Sequence, residues 1–94
     1  MTVDKNTLTS RYFSLAKKLE SVYPKLQFRD HCFWRIALDN TLKGKWDEVI
    51  DRPAYKHLSK QQLEQVVHWM ERYEKDERLL QLHNTRSISF RKAR

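Results

Sequence analysis

The feature that most constrains this chain is its shortage of turn-forming residues, with only one glycine and two prolines in 94 residues. β-Sandwiches and β-barrels need such residues at most strand connections, so this composition disfavours both folds. The length also allows one core of ordinary size and not two. We therefore predict an all-α fold: a compact bundle of four to five helices that forms a single domain over residues 1–94.

The first third of the chain predicts one amphipathic helix. Proline cannot continue a helix, so this element should end just before Pro24. Residues 26–29 would follow it as an extended linker. Five apolar residues, at spacings of four, three, four and three, should share one buried stripe of the helix: Leu8, Tyr12, Leu15, Leu19 and Val22.

A second helix is predicted from Asp30, whose carboxylate can cap it, to about Leu42. Gly44 would then adopt the left-handed conformation that often terminates helices. Apolar residues cover more than one face of this segment, and such a helix usually lies in the middle of a bundle. The residues expected to point inward are Phe33, Ile36 and Ala37, with Trp34 and Leu38 beside them.

Two further helices are indicated before residue 76. Residues 45–51 predict a short helix with Trp46, Val49 and Ile50 on one side, closed by the proline at position 53. Ser59 and Gln62 have the spacing of a capping box, which marks the start of a longer helix. The apolar stripe of that longer helix is Leu63, Val66, Val67, Met70 and Tyr73.

The end of the chain leaves two alternatives open. Asp76 and Glu77 suit the first turn of a last helix, which could also continue the preceding one without a break. Its partly apolar side would include Leu79, Leu80, Leu82, Ile88 and Phe90. Residues 87–94 alternate apolar and polar side chains, which favours either a short strand or a flexible basic tail over residues 85–94.

No catalytic or metal-binding apparatus is visible. His31 and Cys32 are adjacent, and adjacent helical side chains diverge by about 100°, so the imidazole is badly placed to activate the thiol. Cys32 should pack as a small apolar residue and Arg35 should pair with Asp39 one turn later. No two histidines have the spacing of a zinc-binding helix, and one glycine cannot form a phosphate loop. We expect no enzyme activity, cofactor, metal or small-molecule substrate.

The lone cysteine also argues against a disulfide-stabilised secreted scaffold, which favours a cytoplasmic protein. No apolar run approaches the ~20 residues that a membrane span requires, so no membrane association is expected.

Charge supplies the main functional indication. The chain carries 19 lysines and arginines against 12 acidic residues, a net charge of +7, and the excess lies at its two ends. Clustered cations bind phosphate backbones by releasing counterions, whatever the fold. We therefore predict a nucleic-acid-binding protein in a regulatory or accessory role. The candidate phosphate contacts are Lys17, Lys18, Arg86, Arg91, Lys92 and Arg94, with a second patch of Arg52, Tyr55 and Lys56.

The alternative is a protein-interaction adaptor or a homodimer that docks through exposed aromatic side chains. Its candidate surface is Phe28, Phe33, Trp34, Trp46 and Trp69. The two hypotheses differ in what they require of the tryptophans. Buried rings beside an open basic face favour nucleic acid, whereas one contiguous exposed aromatic patch favours a protein partner.

Residues 30–40, followed by residues 52–56, resemble a run found in short uncharacterised bacterial proteins, some of which are labelled acetyltransferases. An acetyl-CoA-dependent transferase of the common type requires a mixed sheet and a phosphate-binding loop. This chain has neither the length nor the glycines for them. The resemblance therefore implies a bacterial origin and no mechanism.

Overall fold

The computed structural model describes residues 4–26, 28 and 30–92, and the side chains of residues 30 and 31 lie outside that description. All regular elements within the described residues are helical, which confirms the predicted all-α bundle. A 3-10 turn over Pro24–Leu26 follows the first helix. The four long helices are α1 (Lys5–Val22), α2 (Asp30–Leu42), α5 (Lys60–Lys75) and α6 (Glu77–Lys92), and the two short ones are α3 (Trp46–Val49) and α4 (Ala54–His57).

Helix α2 lies at the centre of the bundle, as its apolar faces predict. It packs against α1, α5 and α6, and it also contacts α3. Phe33, Ile36 and Ala37 on its inward side have no solvent exposure. The most extensive contact joins α1 to α5, so the first helix packs directly against one that begins nearly 40 residues after it ends.

Helix α1 begins after Asp4, whose carboxylate accepts a hydrogen bond from the Thr7 amide at 2.8 Å. This bond satisfies one of the amides that a helix leaves unpaired at its start. Four of the five predicted stripe residues are buried, but Val22 is 41% exposed. The prediction for Val22 was wrong because it is the last residue of the helix and extends past the core at Leu19.

Helix α2 begins at Asp30 and ends at Leu42, close to its predicted limits. The left-handed residue that terminates it is Lys43, with φ of 57°, and not Gly44. The Gly44 amide donates to the Asp39 carbonyl at 3.1 Å. This pairing is that of a Schellman motif, in which the left-handed residue comes one position earlier than predicted.

The short helices depart from prediction in two respects. Trp46 and Ile50 pack against the core as expected, but Val49 is 55% exposed, because the helix ends at Val49 and the extended backbone at Ile50 breaks the helical spacing. Helix α4 was not predicted, since a single turn carries no readable periodicity. It buries Ala54 and leaves Tyr55 half-exposed.

Helix α5 matches its prediction throughout. Ser59 and Gln62 form a reciprocal capping box, and all five residues of the predicted stripe are buried. Asp76 then separates α5 from α6, and its carboxylate accepts a hydrogen bond from the Leu79 amide at 3.0 Å. The two helices are therefore distinct, which decides between the two alternatives left open for this junction.

Helix α6 remains helical through Lys92, so neither the strand nor the flexible tail is correct for residues 85–92. Residues 93 and 94 lie outside the described residues. The buried face of α6 consists of Leu80, His83 and Ser87. Leu82 and Ile88, predicted on the apolar side, are 49% and 38% exposed. A mostly polar inward face explains why apolar periodicity failed here.

Candidate nucleic-acid interface

A buried carboxylate joins α6 to α2 and to the start of α3. Asp39 has no solvent exposure, and it accepts hydrogen bonds from Arg91 Nε at 2.9 Å and from Arg91 Nη2 at 3.2 Å. The Ser87 hydroxyl donates to the same carboxylate at 2.6 Å, and the Trp46 amide donates to it at 3.0 Å. A buried charge is tolerated only when it is paired and hydrogen-bonded, and Asp39 meets both conditions.

Arg35 extends this network without touching Asp39. Its Nη1 donates to the Ser87 hydroxyl at 3.1 Å, and its Nη2 donates to the Asn84 side-chain oxygen at 2.8 Å. The predicted Arg35–Asp39 pair is therefore wrong, because Arg91 of α6 occupies the carboxylate. Burial lowers the pKa of Arg35, and the neighbouring Arg91 charge acts in the same direction. Arg35 thus holds a partly desolvated positive charge in a fixed position.

Beside Arg35 lies a cavity of about 330 Å³, which we call the aromatic pocket. The Trp34 ring is stacked on Tyr12 with centroids 5.1 Å apart, and its indole N–H donates to the Tyr12 carbonyl at 3.1 Å. Phe13 makes edge contacts with Trp34 at 5.4 Å and with Tyr55 at 5.0 Å. Ten of the described residues line the pocket: Tyr12, Phe13, Trp34, Arg35, Leu38, Trp46, Arg52, Pro53, Ala54 and Tyr55.

Three exposed cations lie on or next to the elements that form this pocket, and we call them the basic rim: Lys17, Arg52 and Lys56. Arg52 lies over the Trp46 ring at 5.3 Å and pairs with Asp47 at 2.7 Å, yet 73% of its side chain is exposed. Lys56 directly follows Tyr55 in α4, and Lys17 lies one helical turn after Phe13 on α1. Of the predicted patch, Arg52 and Tyr55 line the pocket, while Lys56 and Lys17 are exposed on the helices that carry Tyr55 and Phe13.

The other predicted phosphate contacts lie elsewhere. Lys18 faces a charged groove between α1 and α5, where it pairs with Glu74 at 3.0 Å. Arg91 is engaged by Asp39, so its guanidinium holds the fold together. Arg86 and Lys92 are exposed on α6, which contributes no residue to the aromatic pocket. Arg94 lies outside the described residues.

The aromatic residues predicted to form a docking surface do not share one exposed patch. Phe33 is fully buried, so its assignment to a surface is wrong, and Phe28 packs against it at 5.7 Å. Trp69 is half-buried on α5, with its ring 4.7 Å from that of His83. Trp34 and Trp46 line the aromatic pocket instead. These rings mainly complete the core of a small bundle.

Two pocket residues were missed by sequence reasoning. Phe13 lies off the buried stripe of α1, and an apolar ring next to Tyr12 on an otherwise polar face was the available signal. Arg35 was assigned to a local ion pair, and no sequence pattern indicated its contacts with α6, which are 49 and 52 residues distant.

Comparison with known proteins adds no further assignment. The chain matches no protein-family model, no curated protein and no solved structure. Within residues 4–26, 28 and 30–92, no helix is both long and apolar enough to cross a membrane. The same described part of the chain contains no group of three or more His, Cys, Asp or Glu side chains placed to hold a metal ion. The aromatic pocket and its basic rim are therefore the candidate functional site.

Proposed function

We propose that this protein binds nucleic acid, with the basic rim of the aromatic pocket contacting the phosphate backbone. The observation that carries this proposal is the charge of the site. Two arginines, Arg35 and Arg52, line the pocket, and none of the ten described residues that line it is acidic. Such a site attracts a polyanion and offers rings beside it, which is the combination found in proteins that bind nucleic-acid strands.

The rim cations are free to exchange partners. Among the described residues, Lys17 and Lys56 have no carboxylate within salt-bridge distance, and both are exposed. The Arg52–Asp47 pair is largely exposed, and exposed pairs contribute little stability and are screened by salt. Lys17 and Lys56, and Arg52 once it leaves Asp47, would therefore neutralise phosphates and release the counterions condensed on the nucleic acid.

The groove between α1 and α5 provides an internal comparison. It also contains arginine and lysine, but Arg11 pairs with Glu71 and Lys18 pairs with Glu74. Its positive charges are thus compensated by acidic residues that line the same groove. A polyanion would meet these carboxylates there, so like-charge repulsion disfavours binding.

The test is a titration of the purified protein against fluorescent single- and double-stranded DNA and RNA at two salt concentrations. A rim variant, K17A with R52A and K56A, is compared with a groove variant, R11A with K18A and R72A, which removes the same net charge. The rim variant should bind more weakly to every sequence, and its salt slope should fall by about 2, since each single-strand phosphate contact contributes about 0.7. The groove variant should retain most of the affinity and slope.

Two results would overturn the proposal. One is the absence of binding near physiological salt, which with a stable dimer would favour a protein partner or homodimer. The other is an equal loss in both variants, which would indicate only a general charge effect. Lys92 and Arg94 are tested separately as a double alanine variant, because Arg91→Ala would disturb the fold.

A further inference from the structure

The aromatic pocket is rigid and open at the same time. The Trp34 ring is fixed by its stacking on Tyr12, whose ring is nearly parallel to it at 4°, and by its hydrogen bond to the Tyr12 carbonyl. Tyr12 itself is buried, so it supports Trp34 without being accessible. Trp34, Trp46 and Tyr55 are half-exposed and Phe13 is exposed. Preorganised rings of this kind lose little conformational freedom when a flat group binds.

The cavity has the size and polarity of a site for one planar group. Its volume of about 330 Å³ lies at the lower end of the ~300–1,000 Å³ range of small-molecule sites. Five aromatic residues line it, and the Arg52 guanidinium lies over the Trp46 ring. Arg35 adds a fixed positive charge beside the pocket, because Ser87 and Asn84 hold its guanidinium.

We infer that the aromatic pocket accepts one unpaired nucleobase of a bound strand while Lys17, Arg52 and Lys56 contact the adjacent phosphates. This inference rests on the proposed nucleic-acid function and makes it specific to single strands. A base in a duplex is stacked and paired, so it would have to be flipped out at considerable cost before it could enter. Base stacking on aromatic side chains is tolerant of sequence, since every base has a π-face.

The experiment measures affinity by fluorescence anisotropy for a single strand of about 12 nucleotides, which is within the range of single-domain sites. The same strand is also offered as a duplex, as an abasic sugar-phosphate polymer and as free mononucleotide. The intact single strand should bind about tenfold more tightly than the duplex or the abasic strand, consistent with stacking of one base. Free mononucleotide, which lacks the neighbouring phosphates, should bind much more weakly than the strand.

Trp34→Leu and Tyr55→Ala should remove the preference for the intact strand but keep the salt slope. Trp69→Leu is the matched control, because Trp69 is also half-buried but does not line the pocket. Circular dichroism shows whether each variant is folded. If Trp34→Leu does not fold, Tyr55→Ala alone still tests the base pocket.

The outcomes separate this inference from the proposed function. Equal binding of intact, abasic and duplex forms with an unchanged rim effect would overturn the base pocket and leave the nucleic-acid function standing. Mononucleotide that binds as tightly as the strand would replace the inference with a free-nucleotide site. No binding of any polymer would overturn both proposals.

Discussion

The Arg91 guanidinium holds the Asp39 carboxylate with two hydrogen bonds across the interface between α6 and α2. Asp39 is fully buried, whereas 28% of the Arg91 side chain is exposed. Because Ser87 and the Trp46 amide bind the same carboxylate, this one residue fixes the positions of α6 and α3. Four donors on one buried charge explain how a polar helix face can pack against the core.

Removing Arg91 should destabilise the protein strongly. Arg91→Ala leaves the buried Asp39 charge without its counterion, and breaking a buried pair in this way costs about 3–5 kcal/mol. Arg52→Ala is the control, since it removes an arginine from an exposed ion pair and should cost less than about 1 kcal/mol. Urea unfolding followed by circular dichroism measures both. Similar midpoints for the two variants would contradict the structural role assigned to Arg91.

The end of α2 offers a stabilising substitution. Lys43 has a left-handed backbone, which costs a residue with a side chain about 1–2 kcal/mol, so Lys43→Gly should raise the free energy of unfolding by about 1 kcal/mol. Gly44 has no positive φ, and a Cβ added there would meet no atom within 4 Å. Gly44→Ala should therefore also be neutral or stabilising, by up to about 1 kcal/mol. The midpoint of thermal unfolding measures both effects. A loss of stability in Lys43→Gly would refute the Schellman assignment.

The capping box of α5 should make a measurable contribution to stability. The Ser59 hydroxyl accepts from the Gln62 amide at 3.1 Å, and the Gln62 side chain accepts from the Ser59 amide at 2.9 Å. Ser59→Ala should lower the free energy of unfolding by about 1 kcal/mol. Ser89→Ala, at an exposed position within α6, should change it by less than about 0.5 kcal/mol. Equal effects of the two substitutions would argue against the cap.

His83 should make stability depend on pH. Burial lowers its pKa below the usual 6.5, and the positive charges of Arg86 and Arg72 add to the effect. Its ring lies 2.7 Å from the Tyr73 hydroxyl and packs on Trp69. Below about pH 6.5 the unfolded chain binds a proton that the folded state resists, so this contribution to stability falls as the pH falls.

This dependence is measured as urea midpoints between about pH 8 and pH 5. His83→Gln should be less stable overall but should lose part of the decline at low pH. His57→Gln, at an exposed position, should keep it. A decline of the same size in all three proteins would rule out His83 as its source.

Helices were predicted correctly where an apolar stripe and capping residues define them. Helix α5 was predicted in full because Ser59 and Gln62 start it and its apolar stripe is uninterrupted. The prediction failed for α6, where side-chain hydrogen bonds take the place of apolar contacts with the core. Ser87 and Arg91 look like surface residues by type, but their partners on Asp39 come from 48 and 52 residues away, and no local pattern encodes that pairing.

The candidate site was predicted in part for the same reasons. Arg52, Tyr55 and Lys56 were found together because they are neighbours in sequence. The contact between Tyr55 and Phe13 depends on how α1 packs beside α4 and α2, which is a property of the tertiary fold. Arg91 was predicted to contact phosphate because of its positive charge. In the structure its guanidinium instead pairs with the buried Asp39 carboxylate.

The pairing of distant helices has a consequence for how the chain can be divided. Helix α1 packs chiefly on α5, and α2 packs on both α5 and α6, so neither half of the sequence contains the surface that covers its own apolar side chains. A cut in the segment between α2 and α5 would give two fragments that are each too incomplete to fold alone. When the two fragments are mixed, α1 and α2 of one can pack against α5 and α6 of the other and complete the core. The protein is therefore suited to fragment complementation, in which folding indicates that two separately expressed fragments have associated.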